Sequence, residues 1–187
     1  MEITMKLHHT LLASATLFAC LAVQAQTVSI TPSLSNVNLG DTFSVDVAAT
    51  GFPDKIFGGG YNLAFDPAIL QLNAITIPAS WEFATSTGLL DPASGTVSDV
   101  YFNTFVAPIK GDFLTATLQF TAVGSGTSAI SVSESGSFPF GNELGNPVAV
   151  TYVNGSVNVA AVPEPSSLTL MLAGVACMGL IGWRKRA

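Results

Sequence analysis

Along the middle of this 187-residue chain the apolar side chains recur at every second position, a period that extended strands, and not helices, can bury on one face. Phe43, Val45, Val47 and Ala49 alternate with Thr42, Ser44, Asp46 and Ala48. Leu114, Ala116, Leu118, Phe120 and Ala122 form the longest clean run, with Thr115, Thr117, Gln119 and Thr121 on the other face. Tyr61, Leu63 and Phe65 repeat the pattern after Gly58-Gly59-Gly60. Leu70 and Leu72 are in step, whereas Ile75 and Ile77 are shifted by one, which predicts a bulge or break near Asn73. Val28 to Thr31, Val97 to Phe105, Ile130 with Val132, and Val148, Val150 and Tyr152 supply further strands. Asn154-Gly155 then either turns a tight hairpin into Val157 and Val159 or marks a bulge in one long final strand. Turn chemistry separates these runs at Leu39-Gly40-Asp41, Gly51 to Gly60, Asp66-Pro67, Asp91-Pro92, Lys110-Gly111-Asp112 and Gly124-Ser125-Gly126. About eight or nine strands and no helical segment predict an all-β domain of two antiparallel sheets packed face to face.

The two ends follow a different grammar. Lys6 precedes an apolar run from Leu11 to Val23, and Val23-Gln24-Ala25 leads into Gln26, the basic, hydrophobic and small-residue order of a secretory signal peptide cleaved between Ala25 and Gln26. A run of about a dozen apolar residues is short of the ~20 that span a bilayer, which argues against a retained anchor. Cys20 raises lipidation as an alternative, but Phe18 is bulky where a lipoprotein signal wants a small residue. At the other end, Pro163-Glu164-Pro165 is followed by an uncharged apolar stretch from Leu168 to Trp183 and by Arg184-Lys185-Arg186. That stretch gives ~24 Å of helix, a short but usable membrane span. The basic cluster keeps the extreme C-terminus cytoplasmic, which leaves everything before the helix on the outer side of the inner membrane.

A Pro-Glu-Pro, a hydrophobic helix and a terminal basic cluster within Pro163 to Ala187 resemble the PEP-CTERM sorting signal of Gram-negative bacteria. The resemblance implies recognition by exosortase, a membrane protease-transpeptidase, with onward delivery of the protein, often to an exopolysaccharide matrix. The prolines stop the helix from extending backward and keep the preceding backbone extended, as a protease cleft requires. The expected organisation is therefore a signal peptide at 1–25, a β-sandwich domain at 26–160 and a sorting tail at 161–187, with a transmembrane helix at 168–183 and a basic cluster at 184–186.

Cys20, Cys177, His8 and His9 all fall in the terminal segments, so the exported domain has no thiol, imidazole or disulfide. Serine triads, cysteine nucleophiles and zinc sites built on His or Cys are excluded, and no enzymatic activity and no cofactor are expected. Between Gln26 and Val162, Lys55 and Lys110 stand against ten carboxylates, a net charge of −8. That sign repels phosphate backbones and argues against nucleic-acid binding.

Three stretches resemble successive landmarks of a cohesin domain: Leu39 to Val47, Tyr61 to Leu70, and Phe113 to Phe120 ahead of Gly124-Ser125-Gly126-Thr127. The most telling piece is aromatic-Asp-Pro-x-x-Leu, here Phe65, Asp66, Pro67 and Leu70, in which Asp66 and Pro67 end a strand and Leu70 returns to the core. The resemblance implies a nine-stranded jelly roll related to carbohydrate-binding modules. Cohesins of cellulosomes bind dockerins through one polar sheet face. The chain departs from that setting in its single copy, its lack of a dockerin and its sorting tail.

Three groups of side chains are candidates for chemistry. Asp66 and Glu82 have the residue types of a glycosidase pair, against which stand the turn role of Asp66 and the isolation of Glu82 between Trp81 and Phe83. Trp81, Phe83, Tyr101 and Phe105 either stack on a sugar or fill the core. Asp41, Asp54, Asp91, Asp99 and Asp112 lie in or near loops without the dense spacing of a calcium loop, and turns are their expected use. The reading is thus an exported, non-catalytic protein of the cell surface or extracellular matrix, structural or adhesive in exopolysaccharide and biofilm. It passes through the inner membrane as an anchored precursor and meets signal peptidase and exosortase on the way. The alternative is a carbohydrate- or protein-binding module using an exposed sheet face.

Overall fold

The computed structural model describes residues 26–161. The expected signal peptide with its cleavage between Ala25 and Gln26, the Pro163-Glu164-Pro165 motif, the expected transmembrane helix and the Arg184-Lys185-Arg186 cluster lie outside the described residues. Within them the chain is all-β, with twelve strand segments and no helix. These are β1 (Thr27–Thr31), β2 (Leu34–Asn38), β3 (Thr42–Phe65), β4 (Leu70–Thr76), β5 (Ala84–Ser86) and β6 (Leu89–Asp91). They continue with β7 (Thr96–Asn103), β8 (Ile109–Ala122), β9 (Gly126–Glu134), β10 (Gly141–Asn142), β11 (Thr151–Val153) and β12 (Gly155–Ala160).

The pairings resolve into two sheets that share β3. Its first half, from Thr42 to Ile56, lies between β1 and β8, with β4 beyond β8 and β11 beyond β1. Its second half, from Gly58 to Phe65, lies between β7 and β9, with β12 and β2 beyond β9 and the short β5 and β6 on the far edge of β7. Most pairs are antiparallel, but β1 with β11 and β12 with β2 are parallel. Alternation drives the packing: Val45, Val47, Leu118 and Phe120 from one sheet, and Tyr61, Leu63, Val100, Phe102, Ile130 and Val132 from the other, enter a single core.

Two predicted turns are strand instead. Gly51 to Gly60 does not separate two strands, because β3 runs through it with register shifts between Ala49 and Phe52 and between Phe52 and Ile56. The bulges bend the strand from one sheet into the other, and Gly51 takes φ 74°, which favours glycine. The glycine triplet is there for close approach: a Cβ on Gly59 would stand 2.6 Å from the Phe140 ring, and one on Gly60 would stand 2.7 Å from the Val100 carbonyl. Lys110-Gly111-Asp112 likewise lies inside β8, where Gly111 pairs with Phe52 at a bulge. The predicted irregularity near Asn73 is present as a register shift between Leu72 and Ala74. At Asn154 the last strand breaks without forming a hairpin: β11 pairs with β1, β12 pairs with β9 and β2, and the Asn154 side chain accepts the Val132 amide at 3.0 Å.

Candidate interaction surface

The two ends of the sandwich differ in chemistry. At the lower end β8 and β12 finish together, with Leu39 donating to Ala160 and Gly40 to Ala122. Asp66 sits here as the turn reading expects. Its carboxylate accepts Ala68 N at 2.9 Å, its carbonyl accepts Ile69 N and Leu70 N, and Leu70 is fully buried. Asp41 accepts Asn38 N, and Asp91 accepts the Ser94 hydroxyl and Ala93 N, which hold the Asp91 carboxyl below its usual range.

At the upper end, Glu82 organises the loop that follows β7. Its Oε1 accepts the Thr104 hydroxyl at 2.8 Å, Phe105 N at 3.2 Å and Val106 N at 3.1 Å. The Thr104 hydroxyl and these amides favour the ionised form and depress the Glu82 pKa. Thr104 is fully buried and donates its amide to Phe57 O at 2.7 Å, so the loop is tied to β3 as well. Glu82 meets the end of β7 and Asp66 lies beside its start, so the length of that strand holds the two carboxylates roughly 20 Å apart. A glycosidase pair needs about 5–9.5 Å, and the pair is not one.

The aromatic candidates divide. Trp81 is a correction to the platform reading: it is 2 % exposed, packs against Phe102 and Phe113 with centroids at 4.5 and 5.5 Å, and donates Nε1–H to Leu114 O. Its faces are spent on the core, and the indole N–H has found the partner that burial demands. Phe83 and Phe105 remain in water, 62 % and 53 % exposed, with centroids 4.3 Å apart and rings near perpendicular. Phe57 also meets Phe105 edge to face, with centroids 5.4 Å apart. Tyr101 is half-buried and stacks on Phe138 at 4.3 Å.

Between the ends, the outward face of the second sheet is built at its centre from small neutral groups. Ala64 sits at its centre, paired with Thr96 and Ser131, and Asn62 pairs with Ser133. Exposed Leu89 and Leu34 flank it, at 77 % and 51 %. One backbone feature stands out on this face. Asp99 has φ 58°, a left-handed conformation in the β7 bulge opposite Asn62. Asn62 Oδ1 accepts the Asp99 amide at 2.8 Å, and the Asp99 carboxylate accepts the buried Ser135 hydroxyl. Alternation in the sequence predicted the strand but not the bulge, because the left-handed residue carries no periodic signal.

Residues 27–159 match the cohesin domain family. The chain belongs to that family. Residues 161–186 match the PEP-CTERM protein-sorting motif, which marks an exported protein processed at the membrane. Among solved structures, a non-cellulosomal cohesin from the archaeon Archaeoglobus fulgidus is similar at 14 % identity and TM-score 0.60, covering 73 % of this chain and 91 % of that one. A chain of a type I cohesin–dockerin complex from Clostridium thermocellum is similar at 16 % identity and TM-score 0.61, covering 73 % and 99 %. The sixth cohesin of scaffoldin B from Acetivibrio cellulolyticus, in complex with a dockerin, is similar at 22 % identity and TM-score 0.59, also covering 73 % and 99 %. No curated protein matches the chain. These likenesses establish the cohesin fold, and the arrangement of side chains on this cohesin is its own.

Proposed function

We propose that this cohesin is an exported, non-catalytic protein-binding module that uses the outward face of its second sheet. Exosortase processing at Pro163-Glu164-Pro165, after signal-peptide removal between Ala25 and Gln26, delivers it to the cell surface or exopolysaccharide matrix, where it plays a structural or adhesive role. The observation that carries the reading is the match to the cohesin domain family across the whole described sandwich. Two solved relatives are titled as complexes with dockerins, which supports a protein partner. The second-sheet face suits a protein partner because its centre carries no charge, as interface cores do, and exposed Leu34 and Leu89 at its margins add apolar area that a partner can cover. The strained Asp99 bulge, pinned by Asn62 and Ser135, fixes its shape in advance of binding.

A photo-crosslinking residue at Ala64 on the exported protein should capture a discrete partner, whereas the same residue at Ser44, on the outward face of the first sheet, should not. Capture from Ser44 and none from Ala64 would refute the choice of face. Intact-mass measurement of the extracellular fraction checks sorting. Termini near Gln26 and Pro163 support it, and an unprocessed C-terminus retained in the inner membrane overturns it.

A further inference from the structure

The last strand of the second sheet has an open side. Among the described residues β2 pairs only with β12, in parallel. In a parallel ladder the amide and carbonyl of one residue point to the same neighbour, and successive residues point to opposite sides. Ser33 O accepts Ser156 N and Leu39 N donates to Ala160 O, so Ser33, Ser35, Val37 and Leu39 face β12. Leu34, Asn36 and Asn38 therefore face away from the sheet. Asp41 closes off Asn38, since its carboxylate accepts the Asn38 amide at 2.8 Å and its own amide donates to Asn38 O. Leu34 and Asn36 each keep an open N–H and an open C=O among the described residues. Edge strands are normally blunted by lysine, proline, a bulge or shortness. β4 is bulged between Leu72 and Ala74, and β5, β6 and β11 have three residues each. β2 runs five residues in regular register with none of these devices.

We propose that a second copy of this chain covers this edge, with β2 pairing antiparallel to β2 about a two-fold axis through Ser35. The register is self-complementary. When Ser35 stands opposite the partner's Ser35, Leu34 of each chain meets Asn36 of the other, and the four open amides of the pair find its four open carbonyls. Charge agrees with a second copy at this place. The domain carries two lysines against ten carboxylates, so two copies repel wherever those carboxylates face each other. No charged residue lies between Gln26 and Gly40 or between Leu144 and Pro163, which leaves β1, β2, β11 and β12 neutral throughout. A cationic foreign segment finds no carboxylate on these strands, whereas a second copy finds no repulsion. Two five-residue strands bury less than the roughly 1,600 Å² of a standard interface, so the pairing is weak and favours chains held close together, as on a membrane or in a matrix. Ala64 lies three strands inward from β2, so the pairing leaves the proposed protein-binding face open, and either reading can fail without the other.

The test is disulfide trapping of the full chain in mild detergent, in a background carrying Cys20→Ser and Cys177→Ser. Ser35 takes a non-hydrogen-bonded position on the two-fold axis, where opposed Cα atoms stand about 4.5 Å apart, a separation that a disulfide spans. Ser35→Cys should therefore give a cross-linked dimer on mild oxidation. Gln71→Cys, exposed on the edge strand β4, should give roughly tenfold less, the yield of random collision. Adding Asn36→Pro to Ser35→Cys removes one open amide per chain without touching a bond to β12, and should lower the dimer yield about tenfold or more. Asn36→Ala, which keeps the amide, should leave the yield unchanged, and urea unfolding should show that both variants are folded. No dimer from Ser35→Cys, equal trapping from Gln71→Cys, or undiminished trapping in folded Ser35→Cys/Asn36→Pro overturns the proposal.

Discussion

Gly59→Ala tests whether the glycine triplet is a packed strand or a turn. The added methyl would stand 2.6, 2.7 and 2.8 Å from three carbons of the Phe140 ring. An ordinary contact needs about 3.4 Å or more, so the ring must retreat by most of an ångström. It has no room to do so, because it lies 5.6 Å from both Phe52 and Phe102, themselves buried. Overpacking of this kind costs about 1–3 kcal/mol. For a domain of this size that lowers the melting temperature by roughly 4–10 °C. No backbone strain contributes, since the φ of Gly59 is not in the left-handed range. Urea unfolding followed by circular dichroism measures the loss. Gly136→Ala, where an added Cβ meets nothing within 4 Å, should be silent. The double variant Gly59→Ala/Phe140→Leu should be less destabilised than the sum of its parts, by about 1–2 kcal/mol. A Gly59→Ala protein as stable as wild type would refute the claim that this segment is pressed onto the core.

Trp81→Ala should cost about 3–5 kcal/mol in urea unfolding, because it empties a core position, while Trp81→Phe should cost less, losing the hydrogen bond to Leu114 O but keeping a ring. Burial pushes the Tyr61 hydroxyl up, opposed by its bond to Thr115, and burial with the Glu134 charge pushes Tyr152 up to about 12. Both folded values exceed the unfolded value near 10, so this stability is complete below pH 10 and is lost as pH rises through the folded values. Tyr61→Phe and Tyr152→Phe should flatten that alkaline fall in thermal melts. Glu82, depressed by the Thr104 hydroxyl and the loop amides, should show the reverse: amide-exchange protection of Phe105 and Val106 holds above its unfolded pKa and disappears as pH falls through the folded one. Glu82→Ala should abolish that protection at neutral pH.

The strands of the two sheets were legible where one face is buried and the other wet, as in Leu114 to Ala122, since alternation there is a direct record of burial. β2, β5, β6 and β10 were not, being short or edge segments whose side chains meet water on most sides. The turn at Asp66-Pro67 was readable because its hydrogen bonds close within a few residues, and Gly51 to Gly60 was misread because its glycines answer to Phe140, Phe102 and Val100, far along the chain. The same division runs through the candidate sites. Phe83 and Trp81 are two residues apart and chemically alike, yet one ring stands in water and the other is sealed in the core.

The C-terminal sorting motif, strand periodicity and the absence of thiol and imidazole from the domain are properties of neighbouring residues and of composition, and the sequence by itself determined them. Which aromatic rings reach the surface, that Glu82 clamps a loop some twenty residues away, and that one strand serves both sheets depend on contacts between distant segments. Only the tertiary structure decided those, because burial and hydrogen-bond partners are set by what packs against a residue in space and not by what precedes it in the chain.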